Sequence, residues 1–307
     1  MRIALLCNDR LGLPALQMLV QNRMVVAAAT SDRSPEMVGI MKLVSQQGGV
    51  PTTVFSRKNF EADLLEWIKI VQPDVVLVKT FPFKIPASAL QIPQYGFINF
   101  HYAPLPEYRG SNPLFWMIKK GISAGGVTIH RMNEQFDTGP ILLQQPVQFP
   151  ANSTFGICST LLAQTGAQLV IPLINGLKGN TLSEKLQDEK GAEWYGRPQA
   201  NDLFINWQAM DSVEIRNLAN ACNPWLKGAP TRWRGIPVNL VHLTDSEMVV
   251  ADAVSPGSVL HISSAEGLHI ACKDGKAVKA EVIYVEEGFF GGSHLQFFGL
   301  KQGEHLG

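Results

Sequence analysis

The first half of the chain alternates short, continuous apolar runs with longer stretches whose apolar residues return at helical spacing. Residues 3–7 (Ile-Ala-Leu-Leu-Cys), 25–30 and 75–78 (Val-Val-Leu-Val) contain no polar alternation, the pattern of strands covered on both faces. Residues 52–55 predict a shorter strand. Between these runs the spacing predicts helices from 14–20 and 36–47, and a third through Phe60, Leu64, Leu65, Ile68 and Val71. Strand and helix in turn imply a parallel sheet with right-handed crossovers. Three further strands are predicted at 96–100, 126–131 and 141–149, and one long helical pattern covers 153–175.

The second half changes character. Residues 178–201 are polar, carry Gly179, Gly191, Gly196 and Pro198, and show no apolar periodicity, so they read as a linker. From about Leu203 one helix is predicted near 212–221. Short alternating runs follow at 237–242, 248–251, 258–262, 268–271 and 278–285, separated by turn residues such as Asp274-Gly275. Closely spaced short strands of this kind suggest a small barrel. The expected division is a catalytic domain over 1–177, a linker over 178–202 and a barrel domain over 203–307.

Composition narrows the function. Of 307 residues, 46% are hydrophobic and 17% charged, which supports a sizeable core. Lys plus Arg and Asp plus Glu both number 26, so the surplus of positive charge usual for polyanion binders is missing. Cys7, Cys158, Cys222 and Cys272 form no C-x-x-C pair and read as free thiols in a reducing compartment. The N-terminal apolar run is too short for a signal peptide, and no run is expected to cross a bilayer. A cytoplasmic protein is expected. The first strand-to-helix turn, residues 7–14, has the single glycine Gly12, where a dinucleotide pyrophosphate needs G-x-G-x-x-G. No phosphate-binding G-x-x-x-x-G-K-[ST] occurs either.

The most informative stretch lies between Tyr95 and Gly139. Asn99 and His101 share one face of a predicted strand, at the end where open α/β sheets bind ligands. Two polar side chains on a buried strand require partners. A constrained loop follows, with Pro104, Pro106, Arg109 and Gly110, and ends at Ser111-Asn112-Pro113, a helix start with Ser111 or Asn112 as N-cap. A second strand runs into a polar loop closing with Asp137-Thr138-Gly139, where the aspartate alone would suit an Asx turn. Neither His101, His130 nor the cysteines have metal-ligand spacing, so no metal is implied.

In order and spacing, N-x-H at Asn99 and His101, L-P-x-Y-R-G at 105–110, G-V-T-I-H-x-M at 126–132 and D-T-G-x-I-L at 137–142 resemble the formyltransferase family. Ile205-Asn206-Trp207, Ala221-Cys222-Asn223-Pro224-Trp225 with Gly228-Ala229, Gly257-Ser258-Val259-Leu260 and Gly299-Leu300-Lys301-Gln302-Gly303-Glu304 extend the resemblance over nearly the whole chain. It implies a Rossmann-like, mostly parallel sheet (the formyltransferase fold) followed by a small OB-like β-barrel. It also implies N10-formyltetrahydrofolate as formyl donor and a primary amine as acceptor. By motif, Asn99, His101 and Asp137 become the catalytic set. Amine attack on a formyl carbon builds charge on oxygen, which an amide donor stabilises. An imidazole donates to that oxygen or manages the amine proton. Asp137 either orients the imidazole or takes the proton.

The same resemblance places the pterin beside Thr80, Phe81 and Phe83 and the loop from Asn133 to Asp137. Arg10, Lys79 and Arg109 are the basic side chains expected to meet an anionic acceptor. Methionyl-tRNA formyltransferases carry a basic, glycine-rich insertion after the second strand, whereas residues 30–42 here hold only Arg33 and Lys42, offset by Asp32 and Glu36. From Ala200 onward, 8 Lys and Arg stand against 12 Asp and Glu, 8 − 12 = −4. A small amine, such as an amino sugar on a nucleotide, is therefore the expected acceptor. Initiator tRNA is the first alternative, and water, in a formyltetrahydrofolate hydrolase, the second.

Overall fold

The computed structural model describes residues 1–307. Its elements begin β1 (Ile3–Cys7), α1 (Leu13–Gln21), β2 (Val25–Ser31), α2 (Pro35–Gln47), β3 (Thr52–Phe55), α3 (Phe60–Val71), β4 (Val75–Lys79), α4 (Ala87–Leu90) and β5 (Phe97–His101). They continue with β6 (Arg109–Gly110), α5 (Pro113–Lys119), β7 (Ala124–Arg131), β8 (Ile141–Gln148), α6 (Phe155–Gln168), α7 (Val170–Gly179) and β9 (Trp194–Tyr195). The last are α8 (Ala200–Leu203), α9 (Ser212–Cys222), β10 (Ala229–Trp233), β11 (Ile236–Ser246), β12 (Val259–Ser263), β13 (Gly267–Ala271), β14 (Ala277–Val285) and β15 (Gly288–Gly291).

Local signals account for the boundaries. The Ser34 hydroxyl accepts from the Met37 amide, and Pro35 opens α2 with its φ already set. Gln72 ends α3 in the left-handed region at φ 47°. Asp211 and Glu214 cap the start of α9 reciprocally.

Two compact units result. One comprises Met1–Pro113, Ala124–Gln148 and Ser159–Tyr195; the other comprises Leu114–Ser123, Phe149–Cys158 and Gly196–Gly307. The first holds a seven-stranded sheet in the order β3-β2-β1-β4-β5-β7-β8. Strands β1 to β5 pair in parallel, and β7 and β8 run antiparallel to their neighbours. The apolar runs read from the sequence are these buried strands, and Phe55, Phe60, Leu64, Trp67 and Ile68 belong to the core cluster on one side. Register decides the site: β5 meets β7 with Asn99 opposite His130 and His101 opposite Thr128.

Residues 178–195, expected to be a linker, are part of this first unit. Ile141 and Lys185 form an antiparallel bridge, and β9 pairs in parallel with β6. Backbone pairing and polar side chains hold this segment, so it leaves no apolar period in the sequence. The helical run expected over 153–175 is two helices, α6 and α7, meeting at Leu169. Against the sequence expectation, 155–179 is long and apolar enough to cross a membrane by length and composition, with mean hydropathy 1.5 over an 18-residue stretch. In α7 the apolar face (Val170, Leu173, Ile174, Leu177) is buried in protein, as in a core helix.

The second unit holds an antiparallel sheet in the order β10-β11-β14-β13-β12, with β15 against β14. The chain end closes it. The Val259 amide donates to the Glu304 carbonyl at 2.8 Å and the Gly307 amide to the Arg232 carbonyl at 2.8 Å. Leu306, fully buried, bridges Trp233, and His305 bridges Ser258. Both edge strands are thereby paired with the chain end, and the sheet becomes a small barrel. The strand expected at 248–251 is absent; Val249 is 94% exposed and has no strand beside it. Strands β10 and β15 were not read from the sequence. Residues 114–123 join this unit through aromatic packing, the Phe115 and Trp225 rings lying 6.0 Å apart edge to face.

Candidate active site

Alternation along β5 sends Asn99 and His101 to one face, and the loop after β7 brings Asp137 to meet them. One carboxylate oxygen is the hub. Asp137 Oδ1 lies 3.3 Å from Asn99 Nδ2, 3.4 Å from His101 Nδ1 and 3.6 Å from His130 Nε2. Its other oxygen accepts from the Gly110 amide at 3.0 Å. His130 is the member missed in the sequence. Its place follows from the β5–β7 register, which sets it directly opposite Asn99.

The protons can be assigned from the acceptors. His101 Nε2 is 2.6 Å from the Tyr108 carbonyl oxygen, which only accepts, so Nε2–H donates there and Nδ1 faces the carboxylate. His130 Nδ1–H donates to the Arg131 carbonyl at 2.8 Å, leaving Nε2 to accept from Asn99 Nδ2 at 3.1 Å. The two amide protons of Asn99 thus go to His130 and Asp137. Burial alone would raise the Asp137 carboxyl, but His101 beside it and the Gly110 amide outweigh burial and hold the group well below the usual carboxylate range.

The backbone at Asp137 takes an uncommon conformation. Its φ is +54°, a left-handed conformation that costs a non-glycine residue on the order of 1 kcal/mol. Asn133 Oδ1 turns the loop by accepting from the Gln135 amide at 3.0 Å and the Thr138 hydroxyl at 2.9 Å. A Cβ on Gly139 would lie 1.8 Å from the Arg131 carbonyl oxygen, and one on Gly110, at φ +114°, 2.2 Å from that of Tyr195. Both glycines are required by these close approaches.

The remaining residues singled out in the sequence divide. Lys79 does not face an acceptor, which corrects that expectation: it is fully buried, with Nζ 3.1 Å from the Gly166 carbonyl oxygen and 3.4 Å from Tyr102 Oη. Arg109 is corrected likewise. It is 1% exposed and turned inward onto Gln187 and Glu189. Arg10 is on the surface, paired with Glu36. Thr80 takes φ +58°, and Phe81, half-buried, lies 5.5 Å from the buried Phe83 ring and 5.4 Å from Phe60. Asn133 is exposed on the loop that carries Asp137.

A mostly parallel sheet here brings together an amide, two imidazoles and a carboxylate, groups able to stabilise an oxyanion and to move a proton, as acyl transfer requires. Comparison with known families makes this specific. The formyl transferase family matches residues 11–173, and its C-terminal domain matches residues 198–288. The chain belongs to the formyltransferase family and is a formyl-transferring enzyme. It is 29% identical over 290 residues to a methionyl-tRNA formyltransferase of Magnetococcus marinus, covering 92% of this chain and 90% of that one. Among solved structures, the N-formyltransferase from Helicobacter canadensis in complex with folinic acid and dTDP-3-aminofucose superposes with a TM-score of 0.67 at 16% identity, over 91% and 98% of the two chains. HypX from Aquifex aeolicus in complex with tetrahydrofolic acid also gives 0.67, at 18% identity; 97% of this chain spans 47% of HypX.

Proposed function

We propose that this enzyme moves a formyl group from N10-formyltetrahydrofolate to the primary amine of a small molecule, with Asn99, His101 and Asp137 as its catalytic residues. The observation that carries the reading is the convergence of three nitrogens on Asp137 Oδ1 at 3.3–3.6 Å. These contacts are long for hydrogen bonds and leave room for tightening when substrate arrives. Because the carboxyl is held low, it stays ionised at neutral pH and is a weak proton acceptor. Its role is to hold His101 and offset the positive charge on the attacking nitrogen. His101 moves the proton, and Asn99 turns one amide N–H from the carboxylate to the formyl oxygen as charge builds there. The solved neighbours with tetrahydrofolic acid and folinic acid support the donor. The pterin is assigned to the wall formed by Thr80, Phe81 and Phe83 and to the Asn133–Asp137 loop.

Charge favours a small acceptor such as an amino sugar nucleotide. Beside the β2–α2 turn, Arg33 lies 5.0 Å over the Phe83 ring and Arg10 is paired with Glu36, so the basic side chains there are few and partly offset. Initiator tRNA is the second reading, favoured by the methionyl-tRNA formyltransferases that match this chain across both domains. Both acceptors are to be offered with formyltetrahydrofolate, scoring formylated product by mass spectrometry and tetrahydrofolate release with and without amine. The expected result is formylated small amine and negligible release in its absence; release without amine would assign a hydrolase. Raising salt from about 50 to about 200 mM should leave small-amine transfer within about twofold, whereas tRNA held by 6–10 phosphate contacts loses roughly 10³–10⁵ in affinity. Asn99→Ala should lower turnover roughly 10²–10³-fold with little change in donor binding, as loss of one oxyanion donor does. Single-turnover rates check it, and near-normal rates would remove Asn99 from this role.

A further inference from the structure

We propose that Gln187 is a positioning residue of the transfer reaction, holding Asp137 in its left-handed conformation through the peptide backbone. The inference rests on the role given to Asp137 above. Gln187 Nε2 donates to the Asp137 carbonyl at 2.9 Å and to the Gly139 carbonyl at 2.8 Å. Its Oε1 accepts from Arg109 Nε at 3.1 Å and from Nη2 at 2.9 Å. Both donors and both lone pairs of the amide are used, and the orientation is fixed. Flipping it would set oxygen against two carbonyl oxygens and an NH₂ group against a guanidinium.

Arg109 is anchored in turn. Its Nη1 and Nη2 reach the two Glu189 oxygens at 2.9 and 2.8 Å, and β6 pairs with β9 through Arg109 and Trp194. The two residues of β6 therefore grip one aspartate from both ends. Gly110 donates to its carboxylate, and Arg109, through Gln187, fixes its carbonyl. A side chain at φ +54° relaxes unless the surroundings hold it, and a displacement near 1 Å in such a site costs roughly 10²-fold in rate. Gln187 makes no hydrogen bond to Asn99, His101, His130 or the Asp137 carboxylate, and its bonds to this loop go to the carbonyls of Asp137 and Gly139, so its effect passes through the loop backbone.

Gln187→Leu keeps the volume and removes all four bonds. The full-length variant is expected to fold, to keep its KM for the formyl donor and to lose roughly 10–100-fold in kcat. The acid limb of its pH profile should move upward, because the displaced carboxyl loses part of what holds it low. The ring ¹⁵N signals of His101 and His130 should shift at fixed pH, and they report on the loop whether or not the enzyme turns over any amine tried. In the Asp137→Asn background, Gln187→Leu should cause no further loss, since both act on one group. Leu186→Ala, one residue earlier and 80% exposed, should leave activity unchanged. If Gln187→Leu fails to fold, Gln187→Glu keeps the acceptor for Arg109 while losing the bonds to both carbonyls, and is read in the same way. Unshifted histidine signals in a folded variant, or a loss that adds in full to that of Asp137→Asn, would overturn the proposal. Absence of transfer by the wild-type enzyme would instead sink the reading of the reaction and leave the histidine signals to decide this one.

Discussion

Asp137→Asn enzyme should fold, bind its formyl donor and turn over at least roughly 10³-fold more slowly than the wild type, and His101→Ala should do the same. Asparagine is the informative substitution at 137 because it tolerates left-handed backbone and keeps an oxygen for the Gly110 amide. What it lacks is the charge. The carboxylate has Asn99, His101 and His130 around one oxygen, and a neutral amide cannot offset the cation that forms when an amine attacks the formyl carbon. His101→Ala removes the only one of these groups whose ring bridges the carboxylate and the Tyr108 carbonyl. Single-turnover formylation by the purified variants, beside thermal melts, measures the effect. Near-normal rates in either variant would take that residue out of the mechanism. Stability carries a second signature. The Asp137 carboxyl is depressed in the folded protein, so its contribution is fully present above the ordinary carboxylate pKa and disappears as pH falls through the folded value. The melts of wild type and Asp137→Asn should therefore differ at neutral pH and approach each other in strong acid.

The α/β half of the fold was legible because its strands are buried on both faces. Continuous apolar runs such as residues 75–78 have no other common explanation when helical periods separate them. The barrel was legible in outline only. Strand β10 contains Pro230 and Arg232, and β15 is Gly-Phe-Phe-Gly; their membership depends on partners far along the chain, which local pattern does not carry. The same holds for the terminal residues that close the sheet, whose partners, Trp233 and Ser258, lie far back in the chain.

The candidate site shows the same division. Asn99 and His101 were readable as a pair from strand alternation, and Asp137 only through resemblance to a family motif. His130 needed the register of two strands, and Gln187 needed the fold of a segment with no apolar period at all. The basic side chains were misread for a physical reason. Sequence shows that Lys79 and Arg109 carry charge at the ends of strands, but not that a carbonyl and a phenol wait for one inside, and a half-buried glutamine and an exposed glutamate for the other. A charged group drawn inward by such partners looks, in one dimension, like one turned toward solvent.

Lys79 makes the last of these consequences measurable. Burial drives its pKa from 10.5 down to about 7, against the pull of Cys7 and Asp9. Its ammonium lies 3.4 Å from the centroid of the Phe100 ring, with one carbonyl and one phenol as acceptors. Below about pH 7 both folded and unfolded chains hold the proton, and the folded chain bears the whole penalty of burying it. Between about 7 and 10.5 the unfolded chain binds more protons, so stability rises with pH; above that range the penalty is gone. The full displacement sets an upper bound of about 5 kcal/mol, reduced by about 1 kcal/mol for each hydrogen bond lost when the amine is removed. Lys79→Met keeps the length and the contact with Phe100 while deleting the charge. It should melt above the wild type at pH 6–7, by roughly 2–4 °C for each kcal/mol recovered. That margin should shrink steadily toward pH 10. Cys7, pushed up to about 12, and Tyr102, pushed well above its ordinary value by burial, titrate in both proteins and largely cancel in the comparison. Asp9, pushed up to about 6 by burial, lies below the window in which the margin changes. A difference in melting that stays constant from pH 6 to 10, or a variant that melts below the wild type at pH 7, would mean that the lysine is held by its partners without penalty.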